Sequence, residues 1–233
     1  MADVQQSEYY SGDIARQLLS HYDAHARTLP WRKPPGAGFA NPYHVWLSEI
    51  MLQQTTVAAV GSYFQKFTHI WPSFAALAAA ADADVMAAWA GLGYYARARN
   101  LLKCARVVVT EHGGRLPETE AELLKLPGVG PYTAAAIAAI AFGQRAVVVD
   151  ANVERVVSRL FAISTPLPQS KPQIRAATDS ITPDRRAGDF AQAMMDLGAG
   201  MCSVRAPSCL VCPVAFACEG MRLGNPEVYP AKT

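Results

Sequence analysis

The sequence predicts an all-α protein. Three observations carry that reading: apolar residues recur at helical spacing along most of the chain, Gly/Pro-rich stretches punctuate it, and Val147-Val148-Val149 is the one short run with strand character. In chain order, Ile14, Leu18, Leu19 and Tyr22 form a first apolar stripe, and Lys33 to Pro42 reads as a loop. Leu101, Leu102, Ala105, Val108 and Val109 form a second stripe that ends at Gly113-Gly114. Thr119 followed by Glu122 is a capping-box pattern, opening a helix that runs into Leu123, Leu124 and Leu126. Val147-Val148-Val149 is too short to outweigh this and reads as an extended connector, and Thr165 to Pro172 reads as a second loop. No internal repeat or low-complexity tract is evident.

A chain of 233 residues with 51% hydrophobic content can bury a substantial core. The first thirty residues carry Asp3, Glu8 and Asp13 among scattered apolar positions and lack the three-part pattern of a signal peptide. Ala134 to Phe142 is apolar but far shorter than the roughly 18 residues of a membrane helix. A cytoplasmic protein is therefore expected, without a membrane partner. A formal net charge of +2 does not announce nucleic acid, so any contact with it must come from local arrangement.

Four of the five cysteines stand as C-x6-C-x2-C-x5-C at Cys202, Cys209, Cys212 and Cys218. Four thiolates suit tetrahedral zinc or a [4Fe–4S] cluster, and softness alone does not separate the two. Cys104 falls on the apolar side of its helix and reads as a small core residue.

Leu126-Pro127-Gly128-Val129-Gly130-Pro131-Tyr132-Thr133 lies between two helical stretches. Gly128 and Gly130 let the chain turn sharply around Val129, and amides opening the next helix would face an anion. An ordinary helix-helix turn has the same local look. Arg97, Arg99, Lys103 and Arg106 gather on or near one helix, the last three sharing a face. Such a run is a solvated face unless it lies beside the hairpin. Glu49, after Ser48 at the expected start of a helix, and Asp150, ahead of another, are either helix-stabilising acids or catalytic ones.

Several segments together resemble the endonuclease III superfamily, and within it the MutY branch of adenine DNA glycosylases. They are Leu29-Pro30-Trp31-Arg32, Trp46-Leu47-Ser48-Glu49-Ile50-Met51-Leu52-Gln53-Gln54-Thr55 and Gly91-Leu92-Gly93-Tyr94-Tyr95-Ala96-Arg97-Ala98-Arg99-Asn100, followed by the hairpin, Asp150-x-Asn152, Met194-Met195-Asp196-Leu197-Gly198-Ala199 and the cysteine spacing. The match runs in order over nearly the whole chain. It implies a two-lobed helix-hairpin-helix fold: a six-helix barrel over 30–143, with the helix-hairpin-helix at about 119–143, and a cluster domain built from 1–29 with 144–233. It implies a [4Fe–4S] cluster rather than zinc on Cys202, Cys209, Cys212 and Cys218, and chemistry in a cleft between the lobes.

By motif position, Glu49 resembles the catalytic acid and Asp150 the carboxylate that stabilises a cationic sugar. Adenine leaves poorly until protonated, so the division is chemically sensible. Asn152 and Tyr132 match supporting positions. Trp31, Arg32 and Gln192 match positions around an extruded adenine, and Gln54 and Tyr94 match residues inserted into the opened duplex, offsetting part of a flipping cost of a few kcal/mol. Superfamily members that also cut the strand have a lysine where this sequence has Tyr132, and a phenol cannot form a Schiff base. The resemblance thus implies a monofunctional enzyme of base excision repair, a monomer acting on duplex DNA with adenine opposite 8-oxoguanine or guanine, nucleoid-associated if bacterial. Members of the MutY branch continue past the cluster into a domain that recognises 8-oxoguanine, whereas this sequence stops at Thr233. The expectation is a catalytic core or a short protein resembling the thymine/uracil mismatch glycosylases. A non-catalytic DNA-binding protein is the reading from another class.

Overall fold

The computed structural model describes residues 2–231, with side chains from residue 12 onward. Among the described residues every regular element is helical and no strand occurs. Contacts divide the chain into two units, Met1–Arg27 with Arg145–Thr233, and Thr28–Gln144. α1 (Ala2–His25) opens the first unit. The second holds α2 (Pro42–Leu52), α3 (Val57–Ile70), α4 (Phe74–Ala78), α5 (Asp82–Trp89), α6 (Ala96–His112), α7 (Glu120–Leu123) and α8 (Pro131–Phe142). The chain then returns to the first unit with α9 (Ala151–Leu160), α10 (Lys171–Ile181), α11 (Ala187–Asp196) and α12 (Glu219–Arg222). None of these helices is long and apolar enough to cross a membrane.

In the unit spanning Thr28–Gln144, α2 packs against α3, α6 and α8. Its start is set by Asn41, whose side chain accepts the Tyr43 N–H at 2.9 Å, and by Pro42, whose fixed φ suits the first helical position. The expected loop therefore ends one residue early, at Asn41. Glu49 is also displaced from its expected place: it lies in the last turn of α2, not at a helix start. At that end the helix dipole disfavours an acid, so a dipole role does not account for Glu49.

α8 is apolar all round, and every residue from Thr133 to Ala141 is buried, as expected of a helix with no polar face. Gly143 ends it at φ 68°, with the Gly143 and Gln144 N–H groups returning to Ala139 O and Ala138 O at 3.2 and 3.0 Å. A Cβ on Gly143 would sit 2.4 Å from the Phe39 ring, which belongs to the long loop before α2. Trp46, Phe67 and Trp89 are fully buried among the remaining helices. Along α6, Leu101, Leu102, Ala105 and Val108 are buried and Val109 is half-buried. Cys104 is a core residue, its thiol pushed up to about 12 by burial. α7 is much shorter than the capping pattern suggested. Thr119 caps it by accepting the Glu122 N–H at 3.4 Å, but the Glu122 carboxylate accepts a hydrogen bond from the Thr119 hydroxyl instead of reaching back to the main chain, and the segment to Leu126 continues as turns.

In the other unit, α9 packs on α10, α11 and α12, and α1 on α10 and α11. Asp150 caps α9, its Oδ1 accepting the Val153 N–H at 2.7 Å. Val147-Val148-Val149 is an unpaired extended connector, held by Arg175 Nη1 on Val147 O at 3.2 Å. α10 begins inside the second expected loop because Pro172 is compatible with a helix's first turn. α11 continues as a π-helical turn, Leu197–Met201, that packs against α9. Such turns are frequent at functional sites.

Candidate functional site

The residues singled out by sequence fall into both units, and each set has its own geometry. In the unit spanning Thr28–Gln144, the hairpin turns at Gly128, φ 77°, where a Cβ would meet Asn100 Cβ at 2.8 Å. Val129 is buried and its N–H is bonded to Leu126 O at 3.2 Å, so it anchors the turn from inside. Gly130 is the N-cap of α8, extended at φ −92° and ψ 178° and without a capping side chain. An anion would meet the amide end of a helix that no side chain closes off. Tyr132 is half-buried at the second position of that helix.

The basic run divides in two. Asn100 packs on Gly128, which puts the first turns of α6 beside the hairpin, and Arg99 and Lys103 are exposed there. Arg97 is buried and bonded to main-chain carbonyls. Arg106 bonds to Ala78 O and Ala80 O and pairs with Asp82 at 2.7 Å. Only the exposed pair retains the character of a phosphate-contacting face.

Glu49 is buried on α2 with 6% of its surface accessible. The chain leaving α2 carries Gln53, whose Nε2 reaches Thr133 Oγ1 at 3.4 Å and Gly128 O at 3.5 Å, and then Gln54, exposed at φ 57°. Tyr94, on the loop before α6, is exposed at φ 48°. Left-handed conformations are uncommon for such residues and cluster at functional loops. Trp31 is buried edge-to-face on Phe64, centroids 5.3 Å apart, and Arg32 is half-buried beside it in sequence.

The other unit holds Asp150 and a chain of bonds running from it. Asn152 Nδ2 donates to Asp150 Oδ2 at 3.0 Å, and Arg155 Nη2 donates to Asn152 Oδ1 at 3.0 Å. The same guanidinium donates to Gly198 O at 2.6 Å and Cys202 O at 2.8 Å. Arg159, one turn on and fully buried, donates to Ser203 O at 2.6 Å, Val204 O at 3.0 Å and Cys202 Sγ at 3.4 Å. A carboxylate and a cysteine loop are thus joined through two arginines of one helix face. Gln192 is buried in α11, with Nε2 turned onto Gly188 O at 3.3 Å.

Cys202, Cys209, Cys212 and Cys218 line one apolar cavity together with Arg159, Leu197 and Val214. Burial, and the neighbouring cysteines, push the Cys212 thiol up to about 11 and raise Cys209 and Cys218 as well. Main-chain N–H groups of Val214 and of Gly220 and Met221 donate to Cys212 and Cys218. Among the described residues no group of three or more His, Cys, Asp or Glu side chains is drawn together as a finished metal site.

Gln53, Asn100, Arg155, Arg159 and Gly198 were not singled out as site residues from sequence, and Arg97 was read there only as one member of the basic run. For two of them a signal existed: Asn152, Arg155 and Arg159, at spacings of three and four, share one face of α9.

Residues 47–183 match the HhH-GPD superfamily of base excision DNA repair proteins, and the chain belongs to that family. Among curated relatives, the adenine DNA glycosylase of Homo sapiens is 46% identical over 209 residues, 87% of this chain and 38% of that protein. The adenine DNA glycosylase of Mycolicibacterium smegmatis is 39% identical over 210 residues, 90% of this chain and 70% of that protein. The chain therefore spans well under half the length of the human relative. Among solved structures, a thermostable thymine-DNA glycosylase superposes with a TM-score of 0.81 at 29% identity, covering 92% of this chain and 98% of that one. A non-covalent endonuclease III–DNA complex superposes with a TM-score of 0.75 at 24% identity, over 94% and 97% of the two chains, a likeness of fold.

Proposed function

We propose that the chain is a monofunctional DNA glycosylase that removes adenine paired with 8-oxoguanine or guanine. The observation that carries this reading is the contrast between two carboxylates: Glu49 is buried in the last turn of α2, whereas Asp150 is half-exposed and held by the Val153 N–H and the Asn152 amide. Differing surroundings are how one chemical group is given two tasks. Glu49 gives a proton to the adenine ring, the glycosidic C–N bond breaks with its electron pair leaving on the base, and the cationic sugar is stabilised by the Asp150 carboxylate. Water adds to the anomeric carbon and releases a proton, which completes hydrolysis. Tyr132 has no amine to attack the sugar, so the backbone stays whole. By motif position the hairpin is assigned to a phosphate, Gln54 and Tyr94 to the opened stack, and Trp31, Arg32 and Gln192 to recognition of the extruded base. In this reading the unit of Thr28–Gln144 is the barrel, and the other is the cluster domain.

The four cysteines fit a [4Fe–4S] cluster by their chemistry. All four line one apolar cavity, and burial there raises the thiols of Cys209, Cys212 and Cys218, a cost that a bound cationic cluster would offset. When bound, the cluster supplies a cross-link among loops that have little core of their own. The likeness to the thymine-DNA glycosylase favours thymine opposite guanine as the second reading. A single-turnover panel of A opposite 8-oxoguanine, A opposite G, and T opposite G decides between them. Adenine release is expected, and thymine release without adenine release would transfer the chain to the second reading.

A further inference from the structure

Resting on the reading of Gln54 and Tyr94 as the residues that enter the duplex, we propose that Arg97 is the positioning residue that clamps their two loops together. Its side chain is buried, although sequence places it in a basic run. Nη1 donates to Met51 O at 2.7 Å and Ile50 O at 3.3 Å, at the end of α2 just before Gln54. Nη2 donates to Thr55 Oγ1 at 3.0 Å, just after Gln54, and to Leu92 O at 3.0 Å and Gly93 O at 3.3 Å, just before Tyr94. The guanidinium carbon stands 5.2 Å from the Trp89 ring centroid and 5.7 Å from that of Tyr94. One planar, five-donor group therefore holds both flanks of one loop and the near flank of the other.

Those loops need holding. Gln54 and Tyr94 both sit in the left-handed region, at φ 57° and 48°, where a side chain is disfavoured and persists only if its surroundings enforce it. Lysine has the charge but not the geometry: a single ammonium cannot span the two carbonyl sets. Arg97 does not touch the base in this account. It fixes the two side chains that replace the base in the stack, and so it matters most when the adenine starts out paired and stacked.

The test compares adenine release from a duplex with release from the same strand carrying the adenine as an unpaired bulge, under single-turnover conditions. A 2-aminopurine placed beside the adenine reports extrusion by fluorescence. Arg97→Lys and Arg97→Met are expected to slow release and extrusion from the duplex by about tenfold or more, while release from the bulge stays within about threefold of the parent, because an unpaired base costs least to flip. A general loss of fold would slow both substrates alike, and equal slowing would overturn the proposal. Thr55→Val removes one acceptor with little change of shape and carries the test if the arginine variants do not fold. A smaller loss of the same selectivity is expected, and parent-like duplex release would overturn the clamp. Gln54→Ala and Tyr94→Ala separate the two layers of the argument. If they lose duplex release and the Arg97 variants do not, the clamp alone fails; if they behave like the parent, the insertion reading fails and takes the clamp with it.

Discussion

Glu49 and Asp150 carry the same functional group, and burial distinguishes them, since Glu49 is enclosed and Asp150 is half-exposed. Replacing Glu49 by Gln keeps the shape and removes the transferable proton, so single-turnover adenine release is expected to fall by roughly 10²- to 10⁴-fold with DNA binding retained. Near-parental release would place the acid elsewhere. Gly198 and Gly220 make a second pair, alike in residue and unlike in neighbour. A Cβ on Gly220 would lie 2.7 Å from the Arg159 carbonyl oxygen, and one on Gly198 would lie 2.6 Å from Asn152 Cβ. Overpacking against a fixed main chain costs about 1–3 kcal/mol. Gly220→Ala is therefore expected to lower Tm by several degrees with the remaining folded protein near-normal in rate. Gly198→Ala pushes on the residue that holds Asp150 and is expected to lower the rate as well. Thermal melts with single-turnover rates check both, and a Gly198→Ala protein with an unchanged rate would show that the Asn152 contact does not govern Asp150.

At the scale of elements, the hairpin and the start of α6 act as one piece. Gly128→Ala adds both a left-handed strain and a collision with Asn100, so the turn must open. The expected result is a rise of about tenfold or more in Kd for duplex DNA, with a shallower salt dependence as phosphate contacts are lost. Titrations by fluorescence anisotropy at several salt concentrations would show it, and an unchanged Kd would remove the hairpin from the interface. The helices themselves were legible where their apolar period was clear, as in α1 and α6, and the cap at Asp150 was legible because an acid before an apolar run has a defined hydrogen-bonding use. The start of α2 was not, since Pro42 serves equally as a loop residue and as a first helical residue. The arginines were legible as charge but not as structure. Arg97 and Arg155 are bonded to main-chain carbonyls 47 residues away in each case, and a carbonyl acceptor leaves no mark on sequence.

For the whole molecule, the four cysteines and the two carboxylates define the account. The purified protein is expected to be brown and to hold four irons per chain. Cys212→Ala is expected to lose the iron and melt at a lower temperature, because the loops around Cys202–Cys218 are short turns with few buried side chains. Zinc without iron after anaerobic purification would contradict the cluster assignment. The proposed reaction hydrolyses adenine from DNA with carboxylates and water, and attaches no enzyme amine to the sugar. Its most direct test is incubation with a duplex bearing adenine opposite 8-oxoguanine, in the presence and absence of borohydride, followed by analysis of free base, strand integrity and protein–DNA adduct. Free adenine is expected, with a strand that breaks only after heating in alkali and no adduct trapped by reduction. A borohydride-trapped adduct, a strand cut without alkali, or the absence of free adenine would contradict it.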